Sequence, residues 1–260
     1  MSGDITRLKA CLNGKRSQAE FPAVPVTPAE LAREAAAAVA AGAEAIHLHA
    51  RGADGGESVR AADVGAAVAA VRAACPGTPV GVSTGLWITR GDAAARQAGV
   101  AGWAGLAAAA RPDFASVNVS EDGWADVAGS LGAAGIAVEA GVWSVADVQL
   151  LARSAAALPQ PPLRILVEVL DGPATAAPRV AGDILHALDD SPLRAIPRLL
   201  HGEGEGCWPL VAHAARAGLP TRIGLEDTTA GPDGELVSGN ADLVRLALDV
   251  MKGNAARGVR

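Results

Sequence analysis

The stretch VTPAELAREAAAAVAAGAEAIHLHA, Val26–Ala50, sets the architecture. Its first part reads as a helix over Pro28–Ala41. Thr27 can cap the first-turn N–H groups, Pro28 has no N–H to leave unpaired, Glu30 stands at the capping-box position and Gly42 is the stop. Its second part, Ala43–Ala50, is short and apolar and ends in His47 and His49, as a buried strand running into a polar loop does. Helix followed by buried strand is the repeating unit of a parallel sheet with covered faces.

The unit recurs along the chain. Strands are expected at Arg7–Leu12, Ala43–Ala50, Pro79–Thr84, Phe114–Val119, Ile136–Ala140, Leu163–Leu170, Ile196–His201 and Thr221–Glu226. Helices are expected at Pro28–Ala41, Ala61–Ala74, Asp92–Ala110, Trp124–Gly132, Val145–Ala157, Ala176–Leu188, Trp208–Ala217 and Asn240–Lys252. The strand ends recur every ~31 residues, the step of a ~250-residue barrel of eight units. The expected fold is therefore an α/β (β/α)8 TIM barrel, one domain over residues 1–260. An open doubly wound sheet is the competing arrangement and usually has fewer units.

Composition excludes several classes. The chain has 260 residues, 50% of them hydrophobic and 19% charged, with a net charge of −6. Disorder needs lower hydrophobicity and more net charge. No basic block marks a nucleic-acid or anionic-membrane partner. Five Trp, two Phe and no Tyr leave little to stack single-stranded bases. Cys11, Cys75 and Cys207 are too few and too scattered for a disulfide framework or a thiolate zinc site. Met1-Ser2-Gly3-Asp4 carries no apolar leader, and no run reaches ~18 uncharged apolar residues. A cytoplasmic protein is expected.

In a TIM barrel the site lies at the C-terminal ends of the strands. Polar residues crowd there: Asn13, Lys15 and Arg16; His47, His49 and Arg51; Ser83 and Thr84; Ser116, Asn118 and Ser120; Glu139; Glu168 and Asp171; His201 and Glu203; Arg222, Glu226 and Asp227. His47 and His49 are two apart on a strand and so share a face, which makes a chelating pair. The plainer reading is two hydrogen-bonded histidines. Barrel closure sets the last strand beside the first, which brings Glu226 opposite the pair. Two His and one carboxylate suit zinc or another divalent metal; alternatively Glu226 is a salt-bridge partner of Arg222. Asp227 is either a base beside the metal or a cap for the next turn. Ser83 and Thr84 can donate to a substrate or cap a helix. His186 and His213 read as helix-face residues. Gly202-Glu203-Gly204-Glu205-Gly206 is not a phosphate loop of the usual spacing, and its glutamates would repel a pyrophosphate.

Lys9-Ala10-Cys11-Leu12-Asn13-Gly14, Pro25–Glu30, Ala41-Gly42-Ala43, His47-Leu48-His49-Ala50-Arg51, Ser83-Thr84-Gly85, Ala115–Asn118 and Arg222–Asp227 together resemble the beta-keto acid cleavage enzymes. The founding activity of that family is 3-keto-5-aminohexanoate cleavage. The likeness covers nearly the whole chain. It implies a metal, zinc in the family, held by His47, His49 and Glu226. Ser83, Ser116, Arg222 and Asp227 would surround the substrate, with Asp227 as base. It further implies a metal-dependent acyltransferase that condenses a beta-keto acid with acetyl-CoA, giving acetoacetate and a new CoA thioester, in a homotetramer. Thr84, Asn118 and Glu139 join the substrate-binding candidates. Arg16 stands where the founding member has Glu, which favours a neutral or anionic substrate. Gly141 stands in place of a second strand-5 glutamate, Gly52 follows Arg51 where the family has Asp, and the C-terminal tail is short. A metal-dependent aldolase or hydrolase, and a metal-free small-molecule binding protein, are the alternatives.

Overall fold

The computed structural model describes residues 5–170 and 172–255; Met1–Asp4 and Asp171, named above, lie outside them. Eight strands alternate with eight helices: β1 Leu8–Cys11, α1 Pro28–Ala40, β2 Ala45–Leu48, α2 Ala61–Ala74, β3 Val80–Ser83, α3 Ala93–Ala101, β4 Phe114–Asn118, α4 Trp124–Ala133, β5 Ala137–Val142, α5 Val145–Ser154, β6 Arg164–Val169, α6 Ala177–Asp189, β7 Arg198–Gly202, α7 Cys207–Ala217, β8 Thr221–Ile223 and α8 Asn240–Ala255. All strands are parallel, in the order β7-β6-β5-β4-β3-β2-β1-β8. The seam between β7 and β8 is closed by Leu200 N–H donating to Pro220 O at 3.1 Å and by Thr221 Oγ1 donating to Leu200 O at 2.7 Å. This is a TIM barrel.

Side chains alternate across the sheet. One set, including Leu8, Ala10, Ile46, Leu48, Val80, Val82, Val117, Ile165, Val167, Leu200 and Ile223, packs outward under the helices. The other set fills the barrel. Its floor is a small apolar cluster of Ile5, Ala45, Phe114, Leu166 and Leu199. Above the floor Lys9 Nζ meets Glu139 Oε2 at 2.6 Å, with Arg164 Nε 3.4 Å from Glu139 Oε1 and both cations over the Phe114 ring.

The capping box of α1 forms as its sequence demands. Glu30 N–H donates to Thr27 Oγ1 at 3.2 Å, and Thr27 N–H donates to Glu30 Oε2 at 2.9 Å. The third helix is shorter than expected. It ends at Ala101, and Gly102–Gly105 tightens into a 3₁₀ turn. Gly102 and Gly105 favour an end there, and buried Trp103 donates its indole N–H to Val59 O at 2.8 Å. The eighth strand also stops early, at Ile223. A Cβ on Gly224 would lie 1.8 Å from Cys11 O, so only glycine lets the chain leave the sheet there. Glu226 and Asp227 thus sit in a turn beyond β8, with Asp227 N–H donating to Gly224 O at 2.9 Å. Among the described residues no helix is long and apolar enough to cross a membrane.

Candidate active site

A cavity of about 400 Å³ opens at the C-terminal ends of the strands, within the range of small-molecule sites. The predicted residues His47, His49, Ser83, Ser116, Asn118, Arg222 and Glu226 line it, as do Lys15, Glu168 and Glu203. Arg16, Thr84, Glu139 and Asp227 do not. Arg16 gives its carbonyl to Arg51 Nη2 at 2.8 Å, beside the bond from the same nitrogen to Gly14 O at 2.6 Å. Thr84 spends its hydroxyl on Ser116 O at 2.7 Å. Glu139 is held lower in the barrel by Lys9. Asp227 lies behind Arg222, which donates to its Oδ1 through Nε at 3.1 Å and Nη2 at 2.7 Å.

The two histidines and Glu226 converge. His47 Nε2 is 3.8 Å and His49 Nε2 3.6 Å from Glu226 Oε2. Each residue offers a ligand atom to one shared point, and the 3.6 and 3.8 Å separations from Glu226 are ones that ligands about 2.0–2.2 Å from a shared ion can take. Gly14 makes room: its φ is +53°, and a Cβ there would strike Glu226 Cγ at 2.4 Å. Asn13 fixes His49 by accepting from its backbone N–H at 2.9 Å and donating to its carbonyl at 2.9 Å. Asn240 Oδ1 accepts from Leu225 N–H at 2.9 Å, which anchors the turn that carries Glu226.

Charge supports the same point. Burial opposes ionisation of Glu226, but Arg222, whose Nη2 is 2.8 Å from its Oε1, and His49 outweigh it and hold the carboxyl well below its usual range. Its other oxygen, Oε2, is buried without a hydrogen-bond partner. Burial likewise keeps His47 neutral, the form a metal ligand requires. Burial also works against charge on His49, yet Glu226 and Glu57 prevail and lift it to about 9. Two carboxylates therefore demand positive charge at His49, and a divalent cation between His47, His49 and Glu226 meets that demand. The donor set fits a metal.

Glu57 was not foreseen. Its Oε1 lies 2.5 Å from His49 Nδ1, and its carboxylate also accepts the Trp87 indole N–H at 3.0 Å. A carboxylate behind a ligating His orients the ring and raises its basicity. An antiparallel bridge between Arg51 and Glu57 folds the loop back to bring it there, and no local pattern announces that. Trp87 stacks on His49 with centroids 6.3 Å apart, and Trp143 lines the cavity. Both stand just past a strand end, the one sequence signal that marks them.

Asp227 is perturbed in the opposite direction to Glu226. Burial raises its carboxyl, Arg222 pulls the other way, and Glu226 and Glu203 add to the rise, leaving it at about 8. Its Oδ2 has no partner. His201 is buried between Glu168 and Asp227, with Nε2 3.1 Å from Glu168 Oε2 and Nδ1 3.8 Å from Asp227 Oδ1. His186 is an exposed partner of Asp190, and His213 lies on α7. In the glycine-rich turn Gly204 N–H donates to Asp227 O at 2.9 Å, tying that loop to the site.

A sequence model of the beta-keto acid cleavage enzymes matches residues 6–257. The chain belongs to this family. Among solved structures, a ternary complex of ObcA with a C4-CoA adduct and oxalate superposes with a TM-score of 0.70 at 18% identity, over 90% of this chain and 66% of that one. A binary complex of ObcA with oxaloacetate gives 0.70 at 18%, over 89% and 64%. The carboxyl transferase domain of Rhizobium etli pyruvate carboxylase with pyruvate and biocytin gives 0.61 at 14%, over 99% and 48%. These likenesses concern the fold. The chain spans just under two thirds of the ObcA chains it matches.

Proposed function

We propose that this beta-keto acid cleavage enzyme is a metal-dependent acyltransferase that uses acetyl-CoA as co-substrate and yields acetoacetate and a new CoA thioester. The observation that carries the reading is the convergence of His47, His49 and Glu226 beside Arg222 in one cavity. Zinc or another divalent ion held by those three residues supplies Lewis-acid polarisation of a keto oxygen. Arg222 takes the substrate carboxylate, a pairing that suits its planar fork. A carboxylate that draws Arg222 away from Asp227 releases Asp227 as the base for the C2 proton. Ser83, Ser116 and Asn118 offer hydrogen bonds along the wall; Thr84 shapes the wall through Ser116.

The balance of the reaction follows from elementary carbonyl chemistry. Loss of the C2 proton to Asp227 gives an enolate. Its C2 attacks the thioester carbonyl, and the CoA thiolate leaves. The thiolate then adds to the C3 ketone, the C2–C3 bond breaks, and the released acetoacetate carbanion takes back one proton. A homotetramer in the cytoplasm belongs to the same proposal. The test is incubation with acetyl-CoA and a panel of beta-keto acids, followed by mass spectrometry for acetoacetate. Formation only when acetyl-CoA is present supports the reading. Cleavage at the same rate without it establishes a hydrolase or aldolase instead.

A further inference from the structure

Trp87 is the bulkiest apolar side chain exposed among the described residues, at 43%. A residue so placed gains little from burial, yet its ring is fixed on three sides. A Cβ on Gly85 would stand 2.3–2.5 Å from three atoms of the six-membered ring, so the indole rests on bare backbone where the chain leaves β3. The His49 ring stacks on it, with centroids 6.3 Å apart and planes 25° apart. The indole N–H is shared by both Glu57 oxygens, 3.0 Å from Oε2 and 3.2 Å from Oε1. Glu57 Oε1 in turn meets His49 Nδ1 at 2.5 Å. Trp87, Glu57 and His49 thus close a triangle of contacts drawn from three separate segments.

The three segments differ in how firmly they are held. Trp87 belongs to a 3₁₀ turn, Leu86–Thr89, that is tied at both ends. Leu86 N–H donates to Glu121 Oε2 at 3.0 Å, and buried Arg96 holds Glu121. At the far end Arg90 takes a φ of +56° and donates its N–H to Trp87 O at 2.9 Å, while Gly91 N–H donates to Leu86 O at 3.1 Å. Glu57, by contrast, follows the exposed run Gly52-Ala53-Asp54-Gly55-Gly56. The bonds of that run are internal: Gly52 N–H to Gly56 O at 2.8 Å, Gly55 N–H to Gly52 O at 2.9 Å and Gly56 N–H to Asp54 Oδ1 at 3.1 Å. Glycine has the most conformational freedom to lose on ordering. Beyond the Arg51–Glu57 bridge, what fixes the Glu57 carboxylate is its pair of partners, His49 and Trp87.

We infer that Trp87 is a positioning residue of the metal centre: its indole N–H tethers Glu57 to a rigid turn, and the tether holds His49 with Nδ1 on Glu57 and Nε2 toward the ion. The inference rests on the metal-site reading above. Nε2 is the His49 atom that lies 3.6 Å from Glu226 Oε2. A carboxylate on the far nitrogen of a ligating histidine fixes the ring only as well as the carboxylate is itself fixed. The stacked indole also keeps water from the Glu57–His49 bond, and a less polar surrounding strengthens it.

The test compares wild type, Trp87→Phe, Trp87→Ala, Glu57→Gln and the Trp87→Phe/Glu57→Gln pair. Phe keeps an aromatic ring over His49 and lacks the N–H. Zinc affinity is read by titration of the metal-free protein against a competing chelator. Trp87→Phe should weaken it about 10-fold and Trp87→Ala up to about 100-fold, the range for groups that orient a metal ligand. The double variant should be no weaker than Glu57→Gln alone, because both changes remove one tether. In the metal-free protein labelled with nitrogen-15 histidine, the His49 Nδ1–H should give a slowly exchanging signal that is lost in both Trp87 variants. Retention of that signal in Trp87→Phe, unchanged zinc affinity in both Trp87 variants, or additive losses in the double variant each overturns the tether. A wild-type protein that binds no zinc overturns the metal reading, and the His49 signal then decides the role of Trp87 by itself.

Discussion

Glu226 and Asp227 are chain neighbours with different attachments. Glu226 turns one oxygen to the histidines and one to Arg222, whereas Asp227 sits beneath the guanidinium with Oδ2 free. Asp227→Asn should keep the metal and lose ~10²–10⁴-fold in kcat, the usual contribution of a general base. Glu226→Gln should lose the metal first and activity with it. Elemental analysis beside kcat checks both, and an Asp227→Asn protein without metal would show the two roles exchanged. Glu57 acts through His49 and does not touch the proposed ion. Glu57→Gln should weaken metal binding by roughly 10–100-fold, read by titration against a competing chelator; unchanged affinity would leave Glu57 only a partner of Trp87. His47, His49 and Arg222 were legible because strand parity sends them inward with the rest of the site. Parity ends at Gly224, so the sequence could not say that Glu226 and Asp227 both gather round Arg222 from a turn. It was also silent on depth: β5 runs on to Val142, two residues past the expected Ala140, which leaves Glu139 in mid-strand below the cavity with Lys9.

The helices carry local signals that act as physical chemistry requires. In α1 the Thr27 and Val26 backbone N–H groups donate to Glu30 and hold its carboxyl at about 2. Because the folded value is depressed, the stabilisation is present above the usual carboxylate range and is lost as pH falls from about 4.5 toward about 2. Glu30→Gln should therefore lower the urea midpoint at pH 7 and leave it nearly unchanged near the acid end of that window. Thr27→Ala should cost about 1 kcal/mol, the scale of a lost N-cap. Equal effects at both pH values for Glu30→Gln would mean that the side chain stabilises by packing and not by its charge. The Ala-rich sequence of the third helix concealed its end, because Ala favours helix everywhere while the break is made by Gly102, Gly105 and the Trp103–Val59 contact. That contact spans 44 residues and leaves no local trace.

The barrel as a whole was read from the spacing of its units, and closure between β7 and β8 follows from that count. The charged layer inside it was not read, since nothing local tells a buried Lys9–Glu139 pair from an exposed one. Both side chains are fully buried, so removing one partner strands the other. Glu139→Gln should destabilise the fold by roughly 3–5 kcal/mol without changing metal content, seen as a lowered thermal midpoint. A variant of normal stability that binds substrate poorly would return Glu139 to the substrate site. Acyl transfer requires that the acetyl group of acetyl-CoA become part of the product. The most direct measurement is a single incubation with acetyl-CoA carrying carbon-13 at the acetyl carbonyl and a beta-keto acid that the enzyme accepts, followed by mass spectrometry and carbon NMR. The expected result is acetoacetate labelled at its ketone carbon together with an unlabelled new acyl-CoA. Unlabelled cleavage products, with the label still on acetyl-CoA, would contradict acyl transfer.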